Sequence, residues 1–63
     1  MQYMTSKQVV KLLRAHGWEK KAQRGSHLQM HHPRRKGKVT VPMHGGDIPP
    51  GTFHNILKQA GLR

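Results

Sequence analysis

Apolar residues recur along this chain with two different periods. Between Thr5 and His16, Val9, Leu12 and Leu13 fall on one face with Val10 beside them, while Lys7, Lys11 and Arg14 lie toward the other side. That spacing predicts an amphipathic helix. Thr5-x-x-Gln8 has the spacing of a capping box, in which the hydroxyl accepts from an orphan amide and the glutamine reaches back. Gly17 is a natural residue just past the helix end, and Trp18 can fold back onto the last turn. A second helix is predicted from Pro50 or Thr52 to Ala60. There Phe53, Ile56, Leu57 and Ala60 stand at i, i+3, i+4 and i+7, a full apolar stripe. Gly61 ends it, and Leu62 can cover its end.

Between the helices the period shortens to two. Residues 27–32, HLQMHH, alternate: Leu28, Met30 and His32 point one way, and His27, Gln29 and His31 the other. Residues 38–42, KVTVP, place Val39 and Val41 inward and Lys38 and Thr40 outward, and Pro42 stops the ladder or marks its edge. Residues 18–24, WEKKAQR, form a weaker strand in which Trp18 and Ala22 share a parity. Gly25-Ser26 supplies a turn, Pro33 and Gly37 bracket the basic loop Arg34-Arg35-Lys36, and MHGGDIPPG (43–51) is a loop.

The order is α-β-β-β-α. Two helices with one apolar stripe each, and three strands with one apolar face, pack most economically as two layers. Both helices then lie on one face of a three-stranded antiparallel sheet, an α+β fold. The predicted core is Val9, Leu12, Leu13, Trp18, Leu28, Met30, Val39, Val41, Phe53, Ile56, Leu57 and Leu62. The opposite sheet face carries Gln29, His31, Lys38 and Thr40.

Composition narrows the function. The chain has 63 residues, so residues 1–63 are read as a single domain. A domain of this size buries only about 60% of the surface its unfolded chain exposes, which points to a shallow surface groove as the site of any chemistry. Cysteine is absent, so no disulfide framework and no thiolate zinc site is available. No apolar run approaches the length of a membrane span. With the missing thiols, this reads as a cytoplasmic protein. Twelve Lys and Arg face two acids, Glu19 and Asp47, for a formal net charge of +10. A compact body with that imbalance repels itself, and its natural partners are nucleic acid, an anionic membrane surface or an acidic protein. Nucleic acid fits best.

Three of the six histidines stand within residues 24–33, RGSHLQMHHP. A chelate fails on strand geometry. His27 and His31 share a face but lie roughly 13 Å apart, and His31 and His32 point to opposite faces. No metal or other cofactor is expected. A Ser26–His27 dyad lacks an acidic residue to orient it. General acid–base chemistry on RNA is open to a single imidazole, because RNA brings its own nucleophile, the 2′-hydroxyl. On residue grounds two readings of His27 stand: a proton-transfer group, or a surface histidine that hydrogen-bonds or touches phosphate. His44, in the loop before Gly45-Gly46, is the second candidate. His16, His31, His32 and His54 read as structural or solvated.

The segments SKQVVKLLRAHGW (6–18), RGSH (24–27), HP (32–33), GKVTVP (37–42) and PGTFHNILKQAGL (50–62) together resemble the HicA family of bacterial toxins. The resemblance implies a fold similar to a double-stranded RNA-binding domain. It also implies an mRNA interferase, a ribosome-independent endoribonuclease that halts translation, with an mRNA substrate. Its partner would be a HicB-like antitoxin that blocks the active site in a hetero-oligomer. The family's catalytic histidine is that of its Gly-Ser-His motif, here His27, presented by Gly25 and Ser26. Arg24, Gly25, Ser26, Lys36 and Lys38 are the expected RNA contacts. A non-catalytic double-stranded-RNA-binding module is the alternative. Two departures stand out. Family members often carry a second histidine where this chain has Leu28, which parity turns inward. They usually have apolar residues where this chain has Glu19-Lys20-Lys21. The first strand is therefore expected to be short or to lean on the antitoxin.

Overall fold

A computed structural model describes residues 4–43 and 45–62 of the chain. Helix α1 (Ser6–Ala15) is followed by strands β1 (Glu19–Arg24), β2 (His27–His31) and β3 (Val39–Pro42), and helix α2 (Pro50–Gln59) closes the order. The sheet is antiparallel throughout with β2 in the centre. Its inner face carries Leu28, Met30, Val39 and Val41, all buried, and both helices pack on that side.

The helix ends follow from the sequence. The Thr5 hydroxyl accepts from the Gln8 amide at 3.2 Å, and the Gln8 side chain accepts from the Thr5 amide at 2.9 Å, a complete capping box. At the other end the Gly17 N–H donates to the Arg14 carbonyl and the Trp18 N–H to the Leu13 carbonyl, both at 3.0 Å. This is the Schellman pattern, and Gly17 takes its left-handed position with φ +94°. Helix α2 ends in the same way: Gly61 donates to Lys58 and Leu62 to Leu57.

The segment between β2 and β3 lies across both of these ends. His32 rests edge-on against Trp18, with ring centroids 5.2 Å apart. Its Nδ1 accepts from the Arg34 N–H at 2.9 Å, which leaves Nε2–H to donate to the His16 carbonyl at 3.0 Å. The Arg35 guanidinium lies where a side chain on Gly61 would stand. Each helix thus has its terminal glycine covered by one residue of the same loop. The two helix starts meet at the opposite end of the sheet. Ile48 N–H donates to the Met4 carbonyl at 2.8 Å, and the Ser6 hydroxyl to the Pro42 carbonyl at 2.6 Å.

Several expectations change. Leu12 is only half-buried, whereas the buried face of α1 is Ser6, Val9, Val10 and Leu13. Those four stand at i, i+3, i+4 and i+7. Ser6 holds an inward position because its hydroxyl finds the Pro42 carbonyl, and Leu12 falls to the flank. Phe53 and Leu62 are half-buried and pack against the core rather than within it. Ile48, read as loop, is 1% exposed and fully part of the core. Ala22 does not share the facing of Trp18. The β1–β2 register shifts between Lys20 and Ala22, so Lys21 is an extra residue and Ala22 lies opposite Gln29 on the outer face. Strand β1 is also not short. It has six residues, every one exposed, and is held by its ladder to β2 rather than by core contacts. Lys38 and His32 fall just outside their strands.

Gly17 and Gly37 have similar φ, +94° and +87°, but only Gly17 meets a neighbour: a Cβ there would stand 2.6 Å from His32 Nε2. Gly37→Ala is expected to cost about 1–2 kcal/mol for backbone strain alone. Gly17→Ala should cost about 1 kcal/mol more, because the His32 hydrogen bond is also lost. Urea unfolding of the two variants measures the difference, and it should vanish in a His32→Ala background. An equal cost in both backgrounds would show that His32 does not hold the helix end.

Candidate active site

Arg24, Gly25, Ser26 and His27 make the tight connection between β1 and β2. Arg24 and His27 are directly paired across the hairpin, which leaves a loop of two residues. Gly25 has φ +56°, and no residue other than glycine has positive φ among those described. A two-residue hairpin with glycine alone in the left-handed half of the map is of the II′ kind. Gly25 is therefore demanded by the backbone, and Ser26 completes the turn. The Ser26 carbonyl accepts from the Met43 N–H, so the segment leaving β3 is pinned to the turn. Met43 is the part of the site that sequence reading missed. It stands one residue beyond the alternating pattern, in a stretch with no periodic signal.

The turn places two side chains together. Residues opposite one another in an antiparallel ladder project to the same face, with Cβ atoms about 5 Å apart. His27 therefore stands between Arg24 of β1 and Pro42 of β3 on the outer face. It is exposed, and neither its imidazole nor the Ser26 hydroxyl hydrogen-bonds a described residue. Gln23, next to Arg24 but on the inner side, donates to the Gly25 carbonyl at 3.1 Å and braces the turn. The result is an exposed imidazole paired across the hairpin with an arginine, on a turn braced by Gln23.

The other expected contacts lie elsewhere. Lys38 precedes Val39 at the far end of β3 from Pro42, roughly 13 Å along the strand from the turn. Lys36 lies in the same loop, and both are exposed. The ladder thus brings Arg24 beside His27 and leaves Lys36 and Lys38 at the opposite end of the sheet.

The remaining histidines diverge. His31 is the cross-strand partner of Glu19, with Nε2 and Oε1 3.7 Å apart. Both side chains are largely exposed, so the pair contributes at most about 1 kcal/mol. His32 is spent on the helix end. Helix α2 carries His54 on an exposed position. His44 lies outside the described residues. Among the described residues no three His, Asp or Glu side chains converge in a metal-binding arrangement. Among the described residues no helix is long and apolar enough to cross a membrane.

Comparison with known proteins places this architecture. A family model described as the HicA toxin of bacterial toxin-antitoxin matches residues 6–62. No curated protein matches the chain. Among solved structures, the chain is similar to one in a "Toxin-Antitoxin complex from Streptococcus pneumoniae". The two are 42% identical with a TM-score of 0.80, over 94% of this chain and 98% of that chain. The match runs from the first turn of α1 to the residue that closes α2, with the Gly-Ser-His turn inside it: the chain belongs to the HicA family of bacterial toxins.

Proposed function

We propose that this toxin is a metal-independent endoribonuclease that cleaves mRNA, with His27 as a proton-transfer group. The observation that carries the reading is the pairing of an exposed histidine with Arg24 across a two-residue turn. The RNA 2′-oxygen attacks the adjacent phosphorus as its proton leaves. The bond from phosphorus to the 5′-oxygen of the next nucleotide breaks, and that oxygen takes up a proton. The products are a 2′,3′-cyclic phosphate and a 5′-hydroxyl. His27 performs one of the two proton transfers. Arg24 stabilises the charge that builds on the non-bridging oxygens at the transition state. The net charge of +10 draws the polyanion to the surface. Lys36 and Lys38 hold a more distant part of the same strand. The whole domain acts as one RNA-cleaving unit in the cytoplasm, where mRNA is found.

The similar pneumococcal chain was solved in a toxin–antitoxin complex, which supports an antitoxin partner here. A HicB-like antitoxin that covers the turn would silence the site without unfolding the toxin. Strand β1, exposed along its length, offers such a partner an open sheet edge.

Purified protein incubated with single-stranded RNA in EDTA should yield fragments ending in cyclic phosphate. His27→Ala should slow cleavage by about 10²–10⁴-fold, the usual worth of a positioned acid or base. Its unfolding midpoint should stay put, because the ring is exposed and hydrogen-bonds no described residue. Arg24→Gln should lose about 10²-fold. RNA bound but left intact by the parent protein would replace this reading with that of a non-catalytic binding module. Full activity in His27→Ala would remove the imidazole from the mechanism.

A further inference from the structure

The outer face of the sheet, where His27 stands, is laid out in rows that cross the strands. The row at the turn is Arg24, His27 and Pro42. The next is Ala22, Gln29 and Thr40. It lies two residues further along β2 and so about 7 Å away. Beyond it, Glu19 stands opposite His31.

These rows differ in charge. The first carries the Arg24 guanidinium. The second is neutral, in a chain whose net charge is +10. The third brings in one of the chain's two acids, and the bulge in β1 is what puts it there. Counting back from the turn without an extra residue would set Lys20 opposite His31. With Lys21 extra, Lys20 turns inward opposite Met30 and Glu19 takes the outer place. A phosphate over the middle row would find no cation, and one displaced toward β1 would meet Glu19. Lys38, at the far end, adjoins β3 instead. An RNA strand that leaves the turn on this face therefore keeps its backbone on the β3 side. The neutral middle row is left to a base.

Gln29 is the side chain equipped to read that base. It sits on the central strand, half-buried between the small Ala22 and Thr40. Its carboxamide hydrogen-bonds no described residue. The amide oxygen can accept from the amino group of an adenine while the amide nitrogen donates to N7. On that edge guanine shows two acceptors, and the pyrimidines have no N7. We propose that Gln29 selects an adenine beside the cleaved phosphodiester. The proposal rests on the endoribonuclease reading given above, which sets the RNA on the His27 face.

The test is anisotropy with a fluorescein-labelled 2′-O-methyl uridine heptamer whose central base is varied. This probe lacks the nucleophile and stays intact whether or not His27 is catalytic. The adenine-centred probe should bind about fivefold tighter than the cytosine-centred or all-uridine one, the low end for a bidentate contact because the row is open to solvent. Gln29→Leu should bring that ratio to about one and leave the affinity for the all-uridine probe unchanged. Gln29→Glu keeps the size of the side chain but removes the donor to N7, and should lose most of the ratio. Gln59→Leu, the same chemical change on the exposed side of α2, should keep it whole. Thermal melts confirm that each variant is folded. In ordinary RNA, fragment ends should cluster beside adenine for the parent protein and lose that clustering in Gln29→Leu. Equal affinity of the parent for all the probes would overturn the proposal, as would a ratio retained in both Gln29 variants. So would adenine-dependent binding with cuts scattered among all bases. A probe preference that depends on Gln29, with no cleavage of ordinary RNA, would strike the endoribonuclease reading alone.

Discussion

The fold depends on a loop laid across two glycines. His32 closes the end of α1 over Gly17, and Arg35 lies over Gly61 at the end of α2. Neither contact survives a Cβ at the glycine beneath it. In a domain this small the core alone gives a modest margin of stability. Hydrogen bonds and edge-on packing at the helix ends therefore carry a larger share than they would in a bigger protein. The arrangement also decides the role of one histidine. His32 has both ring nitrogens engaged and its ring against Trp18, whereas His27, five residues earlier, has neither.

The core is not spread evenly beneath the sheet. Both helices reach β3, the buried side chains of the sheet belong to β2 and β3, and β1 stands outside. That lopsidedness follows from the chain. Where β2 and β3 supply Leu28, Met30, Val39 and Val41, β1 supplies only Lys20, Gln23 and their neighbours. The uncovered flank becomes an open groove beside α1. The bulge at Lys21 has a second effect: it bends the free edge, and with two lysines in sequence it makes β1 a poor template for uncontrolled strand pairing. A partner that does bind there has to be matched to the bend.

Most of the architecture was legible in the sequence, and the gaps have physical causes. Capping box, terminal glycines and the 3.6 and 2.0 periods all reported local rules that the tertiary structure obeys. Ile48 was missed because periodicity has nothing to say about a single apolar residue in a loop. A signal was present nonetheless: Ile48 precedes the Pro49 cap and Phe53 stands at the fourth helical position, the spacing of a hydrophobic staple. Leu12 was overrated because hydrophobicity was weighed without the inward hydrogen bond that seats Ser6. Ala22 was misassigned because a bulge breaks the parity argument and leaves no mark in composition. At the candidate site the tight turn and its histidine were visible, but the distance between Lys38 and the turn emerged only once the register was known.

The placement of the helix ends has an electrostatic consequence. Both α1 and α2 begin at the hairpin end of the sheet, where Ser6 meets Pro42 and Ile48 meets Met4, and both finish at the loop end. Their peptide dipoles therefore point the same way. The partial positive poles gather near the Gly-Ser-His turn, and the negative poles lie under His32 and Arg35. Side-by-side dipoles of the same sense repel, and a guanidinium over the negative pole of α2 relieves part of that. The molecule is thus polarised along its strands as well as highly charged. An approaching anion is attracted to the whole surface by the net charge, and is turned toward one end of it by the backbone.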